Sequence, residues 1–320
     1  MRGHVRILGP LRVGIEGRPV KITSPRERVV FAGLAMRAGE TASHDYLCRV
    51  LWGEDWSPKR DGAYRPIVSR LRKTLGEGGL IMREPFGYRL DMSADDVDIL
   101  EFDALAGACG TATTPDEWHR TLELLTRAAA LWKGTPFADI PSDHLRREHA
   151  DRLQTRFCLV RAKRAEAIIR ICPSRAAAEV LHDLQSLIRG NPGDEHLRWL
   201  LMIALYRSGR QAEALAAFRD AWRYYGRKLG LRPGQDLQNL NKRILGADPG
   251  LMQTPLSGLA APWACADALS CQPFAYSLQG VEGILIRASS NIGDAEATTC
   301  ARYSPGDWAA RLSSRSRWPR

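Results

Sequence analysis

Within the first 98 residues the hydrophobic period switches from two to about three and a half and back to two, an order that leaves few folds open. Val5 and Ile7 alternate with polar neighbours, and Leu11, Val13 and Ile15 do the same. Glu16-Gly17-Arg18 then offers a tight turn into Val20 and Ile22. Ser24-Pro25-Arg26-Glu27 combines three helix-start signals: Ser24 as N-cap, Pro25 at the first helical position, and Glu27 closing a capping box. This helix is expected to reach about Arg37, with Gly39 as its stop. A second helix starts at Ser43 and buries Leu47, Val50 and Leu51. The stretch from Gly53 to Arg60 reads as a loop, and a third helix ends near Leu75, before Gly76. The strands LIMRE and YRL flank Pro85-Phe86-Gly87 as a closing hairpin.

Strands, three helices and a terminal hairpin follow one another as in a winged helix-turn-helix, a DNA-binding arrangement. On a helical wheel, Tyr64, Val68, Leu71 and Leu75 fall on one side of the third helix. Arg65, Ser69, Arg72 and Lys73 fall on another, with Arg70 on the flank. Between Lys59 and Lys73 there are six cations and one anion, Asp61. Arg bonds guanine O6 and N7 in bidentate fashion, Ser bonds bases or phosphate, and Lys neutralises phosphate. Arg83 and Arg89 lie on the hairpin strands, where a wing sets such residues beside the DNA backbone or minor groove. The candidate DNA-binding residues are therefore Arg65, Ser69, Arg70, Arg72, Lys73, Arg83 and Arg89; a solvated basic helix face is the competing reading of the same charges.

Residues 99–249 carry apolar residues at three- and four-residue spacing almost throughout, punctuated by Pro141, Pro173, Pro192 and Gly209. In the segments 194–208 and 210–229, Ala204, Tyr206, Gly209, Ala214, Phe218 and Ala221 follow the small/large alternation of tetratricopeptide (TPR) helices, one residue off a standard repeat. Trp199, Tyr206, Phe218 and Trp222 are expected in the core of that pair. From 250 to 320 the periodicity disappears and Ala, Ser, Gly and Pro dominate, which predicts a mostly disordered tail. The expected fold is mainly α: an N-terminal winged helix with small β-sheets over residues 1–98, then an all-α TPR-like domain over residues 99–249.

Charge narrows the partner. Forty-six basic residues against 36 acidic leave +10, which favours a polyanion. Arg supplies 39 of the 46, a bias that fits a GC-rich genome. No stretch approaches the roughly 18–20 apolar residues of a membrane span, and the N-terminus lacks the order of a signal peptide, so a cytoplasmic protein is expected. Seven cysteines, odd in number and without a C-x-x-C pair, read as reduced thiols. His144 and His149 fall five apart, not at the i, i+4 spacing of a zinc helix. With no nucleophile motif, phosphate loop or metal cluster in the sequence, neither an enzyme nor a cofactor is expected.

The segments ILGPLRV, LWGEDW, IVSRLRKTLG and FGYRL, and the long run from LYRSGRQAEALAAF to LNKRIL, resemble the Streptomyces antibiotic regulatory protein family over residues 5–250. The resemblance implies an OmpR-type winged helix and a bacterial transcriptional activation domain. It further implies binding to tandem direct repeats in double-stranded DNA near promoters of secondary-metabolite clusters, a homodimer on DNA, and recruitment of RNA polymerase. In OmpR-type folds the loop between the second and third helices can touch a partner, which makes Glu54, Asp55 and Trp56 candidates for polymerase contact. Where the family usually starts its recognition helix with an Asn-Ala-Leu-Gln-like sequence, this chain has Gly62-Ala63-Tyr64-Arg65-Pro66. Proline costs about 3 kcal/mol inside a helix, so the helix either begins near Arg65, with Pro66 at its first position, or kinks. A protein-binding scaffold with a basic N-terminal domain is the alternative function.

Overall fold

The computed structural model describes residues 3–53, 62–76, 79–171 and 180–252. The chain opens with β1 (Gly3–Arg6), β2 (Arg12–Ile15) and β3 (Arg18–Val20), an antiparallel sheet in which Val5 faces Val13 and Val13 faces Val20. Then come α1 (Pro25–Ala35), β4 (Thr41–Ser43), α2 (His44–Trp52), α3 (Arg65–Leu75), β5 (Ile81–Glu84) and β6 (Gly87–Leu90). The last two strands and β4 make a second antiparallel sheet, in the order β4-β6-β5. This is the expected winged helix. The helices that follow are α4 (Asp98–Gly107), α5 (Pro115–Leu131), α6 (Asp143–Leu145), α7 (Asp151–Ile171), α8 (Leu181–Gly190), α9 (Glu195–Arg207), α10 (Gln211–Tyr224) and α11 (Gln235–Leu245). The fold class is as expected, mainly helical with small N-terminal sheets.

Several local signals act differently from their sequence reading. Ser24 caps α1 with its backbone alone, because Glu27 turns inward to 6% exposure instead of closing a capping box. That helix stops at Ala35, and Gly39, at φ +80°, turns the chain into β4. Ser43 is the working side-chain cap, accepting from Tyr46 N–H at 3.2 Å. The strand β4 has no counterpart in the sequence reading. It pairs Ala42 with Tyr88, and Gly87 is obligatory there because any Cβ would collide with the Ala42 carbonyl.

The apolar core does not divide at residue 98. One cluster runs from Val5 through Phe31, Leu71 and Leu90 to Phe102, Phe137, Leu145 and Val160; a second runs from Ala165 to Leu251. Where β1 ends, Ile7 N–H donates to both carboxylate oxygens of Asp98 at 2.9 Å, and Leu8 N–H donates to Oδ2 at 2.9 Å. The carbonyls of the same two residues accept from Phe137 N–H and Lys133 N–H at 3.1 and 2.7 Å. Asp139 accepts from Leu11 N–H at 2.7 Å and pairs with Arg28 at 3.3 Å, and the Ser142 hydroxyl donates to Val50 O at 2.7 Å. Burial outweighs the N–H bonds at Asp98 and pushes its carboxyl up to about 6.

The tail expected over 250–320 lies outside the described residues from 253 onward. Its first residues belong to the fold: Pro249–Met252 is a 3-10 turn with Leu251 fully buried, and Arg207 donates to Leu251 O at 2.9 Å. Trp199 and Tyr206 are core residues as expected, whereas Phe218 is half-buried and Trp222 is 43% exposed. No helix of the described residues is long and apolar enough to cross a membrane. Among them, no group of three or more His, Cys, Asp or Glu is placed to hold a metal. His144 pairs with Glu148 at 2.9 Å, and burial pushes the neighbouring His149 down to about 4.

Candidate nucleic-acid interface

Helix α3 begins at Arg65, with Pro66 at its second residue, where no intrahelical bond needs the missing N–H. The chain enters through a turn in which Arg65 N–H bonds Gly62 O at 3.0 Å, and the ladder begins with Val68 N–H to Tyr64 O at 3.0 Å. No kink is required. The buried side consists of Ile67, Val68, Leu71 and Leu75, with Tyr64 fully buried ahead of it. Arg65, Ser69, Arg70, Arg72, Lys73 and Thr74 remain exposed on the other sides.

An aromatic cluster sets the start of this helix. Tyr64 stacks on His44 at a centroid distance of 5.5 Å and meets Tyr88 edge-on at 6.2 Å, so α2, α3 and β6 converge on one phenol. The Tyr64 hydroxyl also bonds His44 Nδ1. Burial pushes the Tyr64 phenol above its ordinary value, and a hydrogen bond from the Arg65 guanidinium opposes that shift. Arg65 is thus held against the helix start while still exposed.

The sequence-predicted residues separate into groups. Ser69, Arg72 and Lys73 line one concavity of about 250 Å³ together with Leu75, Gly76, Gly79, Leu80 and Ile81, between the end of α3 and the start of β5. Arg70 turns from that face towards α1, where its Nε lies 3.5 Å from Glu27 Oε1. On the hairpin, Arg83 pairs with Tyr88 and shares its face, the one turned to Tyr64, and is exposed. Arg89 points to the opposite face, paired with Met82 across the strands. Its Nε is 3.2 Å from Glu84 Oε1 but off the line of a hydrogen bond, and another guanidinium nitrogen lies 3.3 Å from Met82 Sδ. Glu54, Asp55 and Trp56 lie outside the described residues.

Phe86 escaped the sequence reading. It occupies the tip between β5 and β6 at 79% exposure, while its carbonyl accepts from His44 N–H at 3.2 Å and fixes the turn to α2. The signal was present, since a phenylalanine between Pro85 and Gly87 has no strand neighbours to bury it. The surface as a whole is a convex helix face with a hydroxyl and two cations around one hollow, flanked by a hairpin ending in an aromatic ring.

Known proteins resemble this chain in sequence and fold. A family profile described as bacterial transcriptional activator domain matches residues 97–245. Regulatory protein AfsR of Streptomyces coelicolor is 36% identical over 261 residues, 81% of this chain but 26% of AfsR, so the chain spans about a quarter of that relative's length. Transcriptional regulator RedD of the same species is 30% identical, with 82% of this chain and 76% of RedD covered. The structure of Mycobacterium tuberculosis EmbR in complex with a low-affinity phosphopeptide superposes with a TM-score of 0.66 at 29% identity, covering 84% of this chain and 68% of that one.

Proposed function

The chain belongs to the Streptomyces antibiotic regulatory protein family of transcriptional regulators, and we propose that it is a sequence-specific DNA-binding activator of an antibiotic (secondary-metabolite) pathway. The observation that carries this reading is the convergence of Ser69, Arg72 and Lys73 on one exposed hollow of a helix whose rear is fully packed. Arg72 is assigned to a guanine edge, Lys73 to phosphate and Ser69 to either. Arg65 contacts the DNA from the helix start, and Arg83, from the helix-facing side of the wing, meets the backbone or minor groove. Arg70 and Arg89 spend part of their charge on Glu27 and Glu84, so they act on the DNA as secondary backbone contacts.

Residues 1–98 carry base recognition in this proposal, and residues 99–249 carry assembly and activation. Two protomers sit head-to-tail on tandem direct repeats and recruit RNA polymerase, with Glu54, Asp55 and Trp56 as the loop candidates for that contact. The protein works without catalysis and without a cofactor.

Selection of bound duplexes from a random pool, followed by footprinting on the selected site, tests the assignment. A repeated motif is expected, with affinity falling steeply as salt rises because each neutralised phosphate releases counterions. Enrichment of no motif, or binding that ignores salt, refutes DNA recognition and favours the scaffold reading.

A further inference from the structure

A second cationic face lies far along the chain from the first, and its composition differs. From Arg219 to Arg232 there are five cations and one anion, Asp220. Asp220 is spent locally in an ion pair with Arg223. No carboxylate among the described residues pairs with Arg219, Arg227 or Lys228, and all three are exposed. Helical spacing places Arg219, Arg223 and Arg227 along the outward side of α10 and the π-helical turn Tyr225–Leu229 that extends it.

An apolar ridge borders these cations. Trp222 is 43% exposed, Leu229 at the end of the π-helical turn is 44% exposed, and Leu231 follows at 60%. Trp222 rests on Phe218 at a centroid distance of 5.9 Å, and Phe218 packs into the second core, so the indole is supported from behind while one side stays open. Between Trp222 and Leu229, Gly226 leaves open space where a side chain would stand. A phosphate backbone uses the cations but finds no partner for an indole and two leucines. An acidic protein segment with apolar residues at helical spacing uses both, filling the shallow site over Gly226 with an apolar anchor and setting carboxylates against the arginines.

We infer that the Arg219–Arg232 face is a docking surface for an acidic amphipathic segment of another protein, independent of the DNA-binding reading. Trp222 is its anchor, and Arg219, Arg223 and Arg227 are its charge partners.

The test uses the full chain and a fluorescein-labelled peptide of about five helical turns, Glu throughout except Leu at every third or fourth position. Fluorescence anisotropy is expected to show saturable binding to the wild type. Trp222→Ala, and separately Arg219→Glu with Arg223→Glu, are expected to weaken it at least tenfold, while Trp222→Phe retains most of it. The charge reversals alter only exposed side chains, so they carry the test if the indole deletion fails to fold. Equal binding by wild type and both variants overturns the proposal. So does oligo-glutamate of the same charge binding as tightly, since the ridge then contributes nothing. Competition by a nonspecific DNA duplex that survives in Arg72→Ala/Lys73→Ala but disappears in Arg219→Glu/Arg223→Glu reassigns the face to nucleic acid. A wild-type dimer in sedimentation that Trp222→Ala dissolves reassigns it to a second copy of this chain.

Discussion

Removing the Asp98 side chain tests the junction on which the two halves of the chain depend. Its carboxylate accepts from two main-chain donors at the end of β1, Ile7 N–H and Leu8 N–H, both at 2.9 Å and both buried. A buried donor left without a partner costs about 1–3 kcal/mol, so Asp98→Ala is expected to be about 2–6 kcal/mol less stable than a variant that keeps the acceptor. Asp98→Asn is that variant, because Oδ2 alone already receives both N–H groups. The two substitutions separate hydrogen bonding from charge, since neither residue ionises.

Charge enters in the wild type. With the folded carboxyl near 6 against an ordinary value of 3.8, the protonated form is the one the fold favours. The stability due to this group is therefore fully present below about pH 3.8 and lost as pH rises through about 6. The loss is on the order of 3 kcal/mol, from about 1.4 kcal/mol per pKa unit. Urea unfolding of the three proteins between pH 4 and 7 is the assay. The gap between the Asn and Ala variants should be independent of pH, and the wild type should lose ground against Asn as pH rises. Equal stability of Asn and Ala would refute the bonding argument, and a wild type that gains on Asn with rising pH would refute the burial argument.

Four further outcomes are expected. Arg72→Ala costs about 1–3 kcal/mol of operator affinity and relaxes preference at one base pair, whereas Lys73→Ala weakens all sequences alike and flattens the salt slope by about one unit; parallel, sequence-independent losses would remove Arg72 from base reading. Phe86→Ala leaves thermal stability unchanged, because the ring is 79% exposed, and costs about 1–2 kcal/mol of DNA affinity if the ring is buried on sugar edges of the minor groove; unchanged affinity in a gel-shift titration removes the tip from the interface. Ending the chain at Gly250 instead of Met252 strips the buried Leu251 and one carbonyl acceptor of Arg207, at a cost of about 2–5 kcal/mol, so identical melting curves for the two truncations would refute that packing. A fragment of residues 1–98 keeps α3 but loses the packing of Phe102, Phe137 and Leu145, so it should melt below a 1–252 fragment while footprinting the same bases, and protection by the longer chain alone would move recognition outside 1–98.

What the sequence revealed and what it hid follow from the range of the forces involved. The buried row of α3 is a local pattern, and Val68, Leu71 and Leu75 sit where the wheel places them because one helix face can pack only one way. The capping box is also a local pattern, yet it fails: a better partner for Glu27 arrives from α3 as Arg70, and Ser43, with no acid three residues on, provides the side-chain cap instead. Strand β4 is three residues long, too short for alternation to register, and exists because β6 offers it a ladder. Asp98 reads as an ordinary acid in the first turn of a helix; its partners are 90 and 91 residues away, where no window can reach. Trp222 fits the core spacing of α10, but the core consumes Ala221 and Tyr225 beside it and leaves the indole at the rim.

Net charge alone treats the two basic faces of this protein as equivalent, whereas their apolar content separates them. Around Ser69, Arg72 and Lys73 the exposed helix surface offers hydroxyl and charge, and the leucines of α3 are turned inward, which suits a closely spaced row of phosphates. Around Arg219 and Arg223 the same density of charge frames an indole and two leucines, exposure that a phosphate chain cannot repay. The junction at Asp98, Asp139 and Ser142 makes the winged helix and the first helices behind it share one core, so α4 cannot swing free of the winged helix without orphaning the buried Ile7 and Leu8 N–H groups. Helix α7 spans both cores, with Val160 in the first and Ile169 in the second, and carries that constraint on towards α10. On the proposed function and the proposed docking face, a partner held at Trp222 is positioned relative to the operator through packed helices, and lengthening α7 by whole turns should separate DNA occupancy from activation while leaving each binding event intact.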